Sequence, residues 1–421
     1  MDKISLLVLL AVIALGFWKK KNVGLLAMAF AFVLGRFGGI ADKTIIAGFS
    51  SSTFVSLLGI TFWFAVINQT GVVDLLAKKG VAIAGKQQWA IPFLMMFLGF
   101  LVSFMGPGAV PACVVCILSI PLAFEMGVSP MLYCLPAFAG LCAGRVSPFT
   151  TEGAWLAGEE VAVAQGYTPA LTTYVTVSGI VAALACTLVV YIFYKGWKKA
   201  PNEYKASELP AFDAKQKYCL TSIVVMAVLV VGFSLTTALV CLLLGEILLL
   251  LGVGTEKETL RTMPWGTMVL VCGVGLLMTV INALGGIELL SNILSSVMSG
   301  RTAAGIMGIV SGMMSWFSSS FGVVWPALIP TVPDLVQTLG SGANGAAIIS
   351  AIAFGASIAG ISPFSSGGSM CISAMSVDSR FDESQTNKCF IQFFAWAVAF
   401  LGIAAILCFL GVFDLLAGMM L

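Results

Sequence analysis

Along most of this chain apolar residues follow one another without the polar face of a helix built for water, and the runs stop at charged clusters or at glycine and proline. A helix that crosses a bilayer needs about 20 predominantly apolar residues. By that measure ten crossings are predicted, over 4–18, 23–34, 53–68, 131–164, 172–194, 219–233, 238–251, 266–284, 346–375 and 390–413, the fourth and ninth of them broken inside. Two further apolar stretches, 89–124 and 302–336, are interrupted by Met105-Gly106-Pro107-Gly108 and by Ser318-Ser319-Ser320-Phe321-Gly322. Each half is too short to span, so both stretches are read as re-entrant hairpins. Backbone left open at membrane depth is tolerated only where protein or a wet cavity covers it. The fold class is an all-α polytopic membrane protein.

The chain also resembles itself. Val66-Ile67-Asn68 returns as Val280-Ile281-Asn282 at a displacement of 214, Pro111-Ala112 returns as Pro326-Ala327 at 215, and Ser147-Pro148-Phe149-Thr150-Thr151-Glu152-Gly153 returns as Ser362-Pro363-Phe364-Ser365-Ser366-Gly367-Gly368 at 215. A fixed offset marks a duplication. Residues 1–197 form a first repeat, 198–217 a linker and 218–421 a second repeat. Five crossings per copy is an odd number, so the second copy enters the membrane upside down. Inverted repeats are the architecture of many secondary transporters, whose substrate sites lie near the midplane at interrupted helices. Four interruptions at matching positions are hard to attribute to independent packing accidents.

Composition and charge narrow this reading. Of the 421 residues 59% are hydrophobic and 10% charged, against about 25% charged in soluble domains. A formal charge of +2 provides no basic face for nucleic acid. There is no histidine, which removes imidazole relays, His-ligated metals and His-based triads. No pair of intramembrane aspartates or metalloprotease motif points to an intramembrane enzyme. With both termini outside, sixteen of the 21 Lys and Arg residues collect on the cytoplasmic side, as the positive-inside bias requires. The predicted place is a bacterial cytoplasmic membrane. Cysteines lie mostly in apolar runs and read as small hydrophobes; the Cys113-x-x-Cys116 spacing lacks a second pair and is not read as a metal or redox site.

What remains at the midplane is mostly uncharged. Breaking a helix frees backbone groups and turns the positive end of the following half-helix toward a cavity. The hydroxyls of Ser147, Thr150, Thr151, Ser362, Ser365 and Ser366, with Ser319 and Ser320 and the glycines Gly106 and Gly108, are the candidate substrate contacts. Met105, Gly106, Ser318, Ser320, Gly322, Ser147 and Ser362 are the candidates for a coupling cation such as Na⁺, which favours oxygen ligands. Arg145 is the one basic residue inside the membrane, where a charge is costly enough to be a functional candidate. Two roles are open to it: clamping a substrate carboxylate, or pairing with Glu152. Glu152 itself could carry protons, and its counterpart is Gly367. A structural role is favoured for Glu246. The amphipathic stretches 72–85 and 286–300 read as helices lying in the interface.

Gly106-Pro107-Gly108-Ala109-Val110-Pro111-Ala112, the two Ser-Pro motifs and the opening 6–49 resemble the MatC-type dicarboxylate carriers, related to the divalent anion:sodium symporters of the ion transporter superfamily. The resemblance covers most of the chain. It implies a homodimer with a scaffold and an elevator-like transport domain, a small di- or tricarboxylate substrate, and Na⁺ coupling without any cofactor. The better-known symporters carry Ser-Asn-Thr at both hairpin tips. Here backbone carbonyls at the Gly-rich first tip would have to replace those side chains. A proton-coupled carboxylate carrier or a cation/proton antiporter is the alternative, although antiporters need midplane carboxylates and Glu152 stands almost alone.

Overall fold

The computed structural model describes residues 1–19, 21–72, 75, 79, 87–105, 115–116, 119–120, 122–124, 126–158, 161, 166–167, 170–200, 210–233, 235–263, 265–316, 319–365, 367–368, 371–372 and 383–421. Among these there is no strand. In the first half the helices are α1 (Asp2–Trp18), α2 (Val23–Phe37), α3 (Asp42–Ala47), α4 (Ser51–Asn68), α5 (Ile91–Phe104), α6 (Met131–Gly144), α7 (Thr151–Leu156) and α8 (Ala170–Phe193). The second half contributes α9 (Ala214–Ala227), α10 (Thr237–Leu250), α11 (Glu256–Thr262), α12 (Trp265–Ala283), α13 (Gly286–Ser295), α14 (Ala303–Ser315), α15 (Trp325–Leu328), α16 (Val332–Leu339), α17 (Gly345–Ala359), α18 (Glu383–Phe409) and α19 (Val412–Met420).

Several starts and stops have a local cause. Asn22 caps α2 by accepting from the Gly24 and Leu25 amides, and Asp213 and Gln216 form a reciprocal capping box at α9. Past its last α-helical turn α9 runs on as a π-helical turn, Val228–Gly232. The helices α8 and the 388–409 part of α18 are long and apolar enough to cross a membrane individually. Two bent pairs add to these: α12 with α13, turned by 80°, and α14 with 320–339, turned by 119°. The run predicted over 390–413 is cut earlier than its hydropathy suggests, because Gly411 adopts a left-handed conformation and starts the separate helix α19.

Helix packing relies on glycine at two pairs of crossings that exchange partners between the halves of the chain. A Cβ at Gly59 in α4 would strike the Ala238 carbonyl of α10, and a Cβ at Gly273 in α12 would strike the Gly24 carbonyl of α2. Gly59 and Gly273 are 214 residues apart, as are Gly24 and Ala238. Missing side chains let backbones approach closely where lipid supplies no hydrophobic drive for helix association. A second group of contacts joins α5 to α6, α6 to α8, α14 to α17 and both α14 and α17 to α18. There Gly140 abuts the Met96 carbonyl and Gly355 the Gly308 carbonyl. α6 and α17 are buried along their whole lengths, whereas α1 and α2 expose Leu7, Leu10, Phe32 and Phe37, the surface expected to meet acyl chains.

Candidate functional site

Helix α6 stops at Gly144 and α7 begins at Thr151, so residues 145–150 form the first interior break. Ser147 donates to the Phe104 carbonyl and accepts from the Phe149 amide at 3.2 Å. The Thr150 hydroxyl donates to the carbonyls of Arg145 at 2.7 Å and Ser147 at 2.8 Å, and caps α7 by accepting from the Gly153 amide at 3.0 Å. After α17 the bonds internal to the break recur: the Phe364 amide donates to Ser362 at 3.4 Å, Ser365 donates to the carbonyls of Gly360 and Ser362, and the Gly368 amide donates to Ser365 at 3.5 Å. Four of the predicted hydroxyls therefore hold the two breaks in shape. Because α7 has only six residues, its aligned dipole is short, and electrostatics at the first break depends more on side chains.

Those side chains are Arg145 and Glu152. Arg145 Nη2 lies 3.1 Å from Glu152 Oε1, with side chains 6% and 3% exposed. Thr151 donates to the other carboxylate oxygen at 2.7 Å. Arg145 Nη1 donates to Ser320 at 3.0 Å, reaching from the first break to the bend between α14 and α15, and the guanidinium carbon stands 5.4 Å from the Trp325 ring centroid. Phe321, Trp325 and Trp155 pack around one another at centroid separations of 5.6–6.3 Å. Of the two roles that the sequence leaves open, the geometry shows the pairing with Glu152, and the guanidinium also donates to Ser320. Among the described residues, Arg145 Nε and Trp325 Nε1 are buried and have no hydrogen-bond partner. Unpaired buried donors are rare in native structures.

At the bend, Ser319 accepts from the Gly322 amide at 3.0 Å and caps the π-helical turn Ser320–Val324. Ser319 is exposed, Ser320 half-buried and Gly322 buried. Met105 ends α5 and is half-buried. The structure thus joins Arg145, Thr151 and Ser320 through the ion pair, while Ser362 and Ser365 bond within their own break. Gly106, Gly108, Ser318 and Ser366 lie outside the described residues, as do Cys113, most of 72–85 and the linker residues 201–209. Trp325, Trp155 and Phe321 were not among the candidates from sequence. Their one signal was that Trp325 precedes Pro326, inside the repeated Pro-Ala pair. A separate apolar cavity of about 440 Å³ lies behind the first break, lined by Phe100, Phe104, Pro148, Phe149, Thr176 and Val230 among others.

A helical membrane protein with helices halted in its interior and a buried guanidinium at one halt has the build of a secondary transporter. The citrate transporter family matches residues 12–355, and the chain belongs to it. It is thereby an integral membrane protein of the carboxylate transporter class, within the superfamily that the motifs resemble. The crystal structure of the Alcanivorax borkumensis YdaH transporter, described as having an unusual topology, is similar at a TM-score of 0.64 over 95% of this chain and 98% of that one, with 15% identity. At that identity the likeness concerns the fold alone. No curated protein sequence matches.

Proposed function

We propose that the chain is a secondary active transporter that moves a small di- or tricarboxylate, with citrate the first candidate, by elevator-like alternating access coupled to Na⁺. The observation that carries this reading is the buried Arg145 guanidinium, linked to Ser320 in the other half of the chain, with its Nε and the Trp325 indole both unpartnered among the described residues. Such a pair of donors suits a carboxylate, and family membership supplies the substrate class. Ser319, Ser320, Thr151 and the backbone of both breaks complete the substrate site. Gly106, Gly108 and Ser366 belong to it by their place in the repeats. Oxygens near Met105, Ser147, Ser318, Gly322 and Ser362 are the proposed cation ligands.

The reciprocal contacts Gly59–Ala238 and Gly273–Gly24 support the reading of two inverted repeats, since a two-fold axis in the membrane plane would generate each from the other. They bind α2, α4, α10 and α12 into a proposed fixed scaffold, which in a homodimer would hold the moving block formed by α5–α8 and α14–α18. The charge bias supports termini outside the cytoplasmic membrane. Proteoliposome uptake of labelled citrate, malate, succinate and malonate under separately imposed Na⁺ and pH gradients tests the proposal. Saturable uptake driven by Na⁺ is expected. Absence of uptake for every carboxylate under both gradients overturns it.

One observation favours proton coupling as a second reading. If a substrate carboxylate takes Arg145, Glu152 is left buried without its counter-charge, a costly state that a proton would relieve. Uptake driven by a pH gradient in Na⁺-free buffer and lost in Glu152→Gln would select this reading over Na⁺.

A further inference from the structure

Away from the Arg145 group, three thiols converge from distant parts of the chain. Cys116 lies in the stretch after α5, Cys134 in the first turn of α6, and Cys371 beyond the second break; all are buried and their Sγ atoms lie within 4.8 Å of one another. None of the three is in a disulfide. Cys113, the nearer cysteine in sequence, is not needed to form the group. No carboxylate joins it among the described residues, and the chain has no histidine to serve as a fourth ligand. At the positions displaced by 215 stand Leu156, Thr331 and Ile349, which offer no comparable set, so the duplication does not account for the cluster.

We propose that Cys116, Cys134 and Cys371 form a three-coordinate site for a soft d¹⁰ cation of the Cu(I) class. All-sulfur donors select soft ions, whereas structural zinc sites call for four ligands. A metal–thiolate bond of about 2.3 Å in a trigonal arrangement places the sulfurs about 4 Å apart. The three thiols therefore need to close by less than about 1 Å. Entry of Cu(I) with release of two protons leaves two thiolates and one thiol on the ion, with one net negative charge. Release of the third proton is opposed by the apolar surroundings. A bound ion ties α6 to the stretches after α5 and after the second break, and so restrains the walls of both breaks.

The test uses the purified full-length protein, reduced and anaerobic, with Cu(I) supplied against the competing chelator bathocuproine disulfonate. About one Cu(I) per chain is expected to be withheld from the chelator, with an all-sulfur, three-coordinate shell by X-ray absorption. Cys134→Ser and Cys371→Ser are each expected to lower the affinity at least tenfold. Cys241→Ser, which alters a buried thiol of α10 far along the chain from the cluster, is expected to leave it unchanged. Cys116→Ala serves if either serine variant fails to fold. Retention no greater than in the triple variant C116S/C134S/C371S, or an equal loss in Cys241→Ser, overturns the proposal.

Discussion

The Arg145 guanidinium lies 3.1 Å from the Glu152 carboxylate in the first break, and the corresponding positions of the second break are Gly360 and Gly367. The hydrogen bonds that each break makes within itself otherwise correspond. At the second, Phe138 takes up the room: a Cβ at Gly367 would lie 2.9 Å from its ring, and one at Gly360 would lie 3.7 Å away. Only the first break therefore carries charge, and its charge is internally balanced. At the proposed site, a carboxylate substrate that takes the guanidinium competes for it with Glu152.

That competition separates stability from transport. Removing one partner of a buried pair leaves an uncompensated charge and costs about 3–5 kcal/mol, so Arg145→Ala is expected to lower the unfolding midpoint markedly and to abolish uptake. The double variant Arg145→Ala/Glu152→Ala is expected to recover much of the stability, because neither charge is stranded, but none of the transport. Thermal unfolding in detergent and proteoliposome uptake measured on the same preparations give the answer. Uptake restored in the double variant would reduce the pair to a structural element.

Ser320 accepts from Arg145 Nη1 at 3.0 Å, and a hydrogen bond to a charged group contributes about 1.5–3 kcal/mol. Ser320→Ala is expected to raise KM for the carboxylate several-fold by loosening the guanidinium, with a fall in the unfolding midpoint smaller than that of Arg145→Ala. Ser319→Ala should act differently: its hydroxyl caps the turn from outside the pair, so stability falls and KM rises less than in Ser320→Ala. A reversed order of KM effects would make Ser319, not Ser320, the stronger substrate contact.

Helix positions were legible because the bilayer imposes a length and an apolarity that leave a direct mark on the chain, and the breaks were legible because Ser147-Pro148 and Ser362-Pro363 interrupt runs that are otherwise continuous. The use of the hydroxyls was not. A sequence shows that Thr150 and Ser365 carry donors but not that both are taken up by carbonyls within their own break. The aromatic group around Trp325 and the thiols of Cys134 and Cys371 depend on contacts between distant segments, which no local pattern records.

Equal hydrogen-bond sets at the two breaks make a paired prediction. Thr150→Val and Ser365→Ala each delete one capping hydroxyl, a loss of about 0.5–2 kcal/mol. Thr150→Ser and Ser365→Thr keep the hydroxyl and should cost little. Unfolding midpoints of the four variants are expected to fall into two groups by the presence of the hydroxyl, not by repeat. Grouping by repeat instead would mean that the two caps differ in importance despite their matching geometry.

The exchanged glycine contacts give the sharpest test of the proposed scaffold. At Gly59 and Gly273 an added methyl group meets a backbone carbonyl, not a flexible side chain, and a carbonyl in a helix cannot yield without moving its helix. Overpacking of this kind costs about 1–3 kcal/mol, more than the roughly 1 kcal/mol that replacing glycine by alanine gains in helix propensity. Gly59→Ala and Gly273→Ala are therefore expected to lower the unfolding midpoint by similar amounts, since each separates one of two equivalent helix pairs. Gly402→Ala in α18 meets nothing within 4 Å and is expected to leave the midpoint unchanged or to raise it. If the scaffold is fixed as proposed, the residual transport of Gly59→Ala should keep the wild-type KM and lose only rate, because none of the proposed substrate contacts lies on α4 or α10. A KM shifted as far as in Ser320→Ala would place α4 among the elements that move with the substrate.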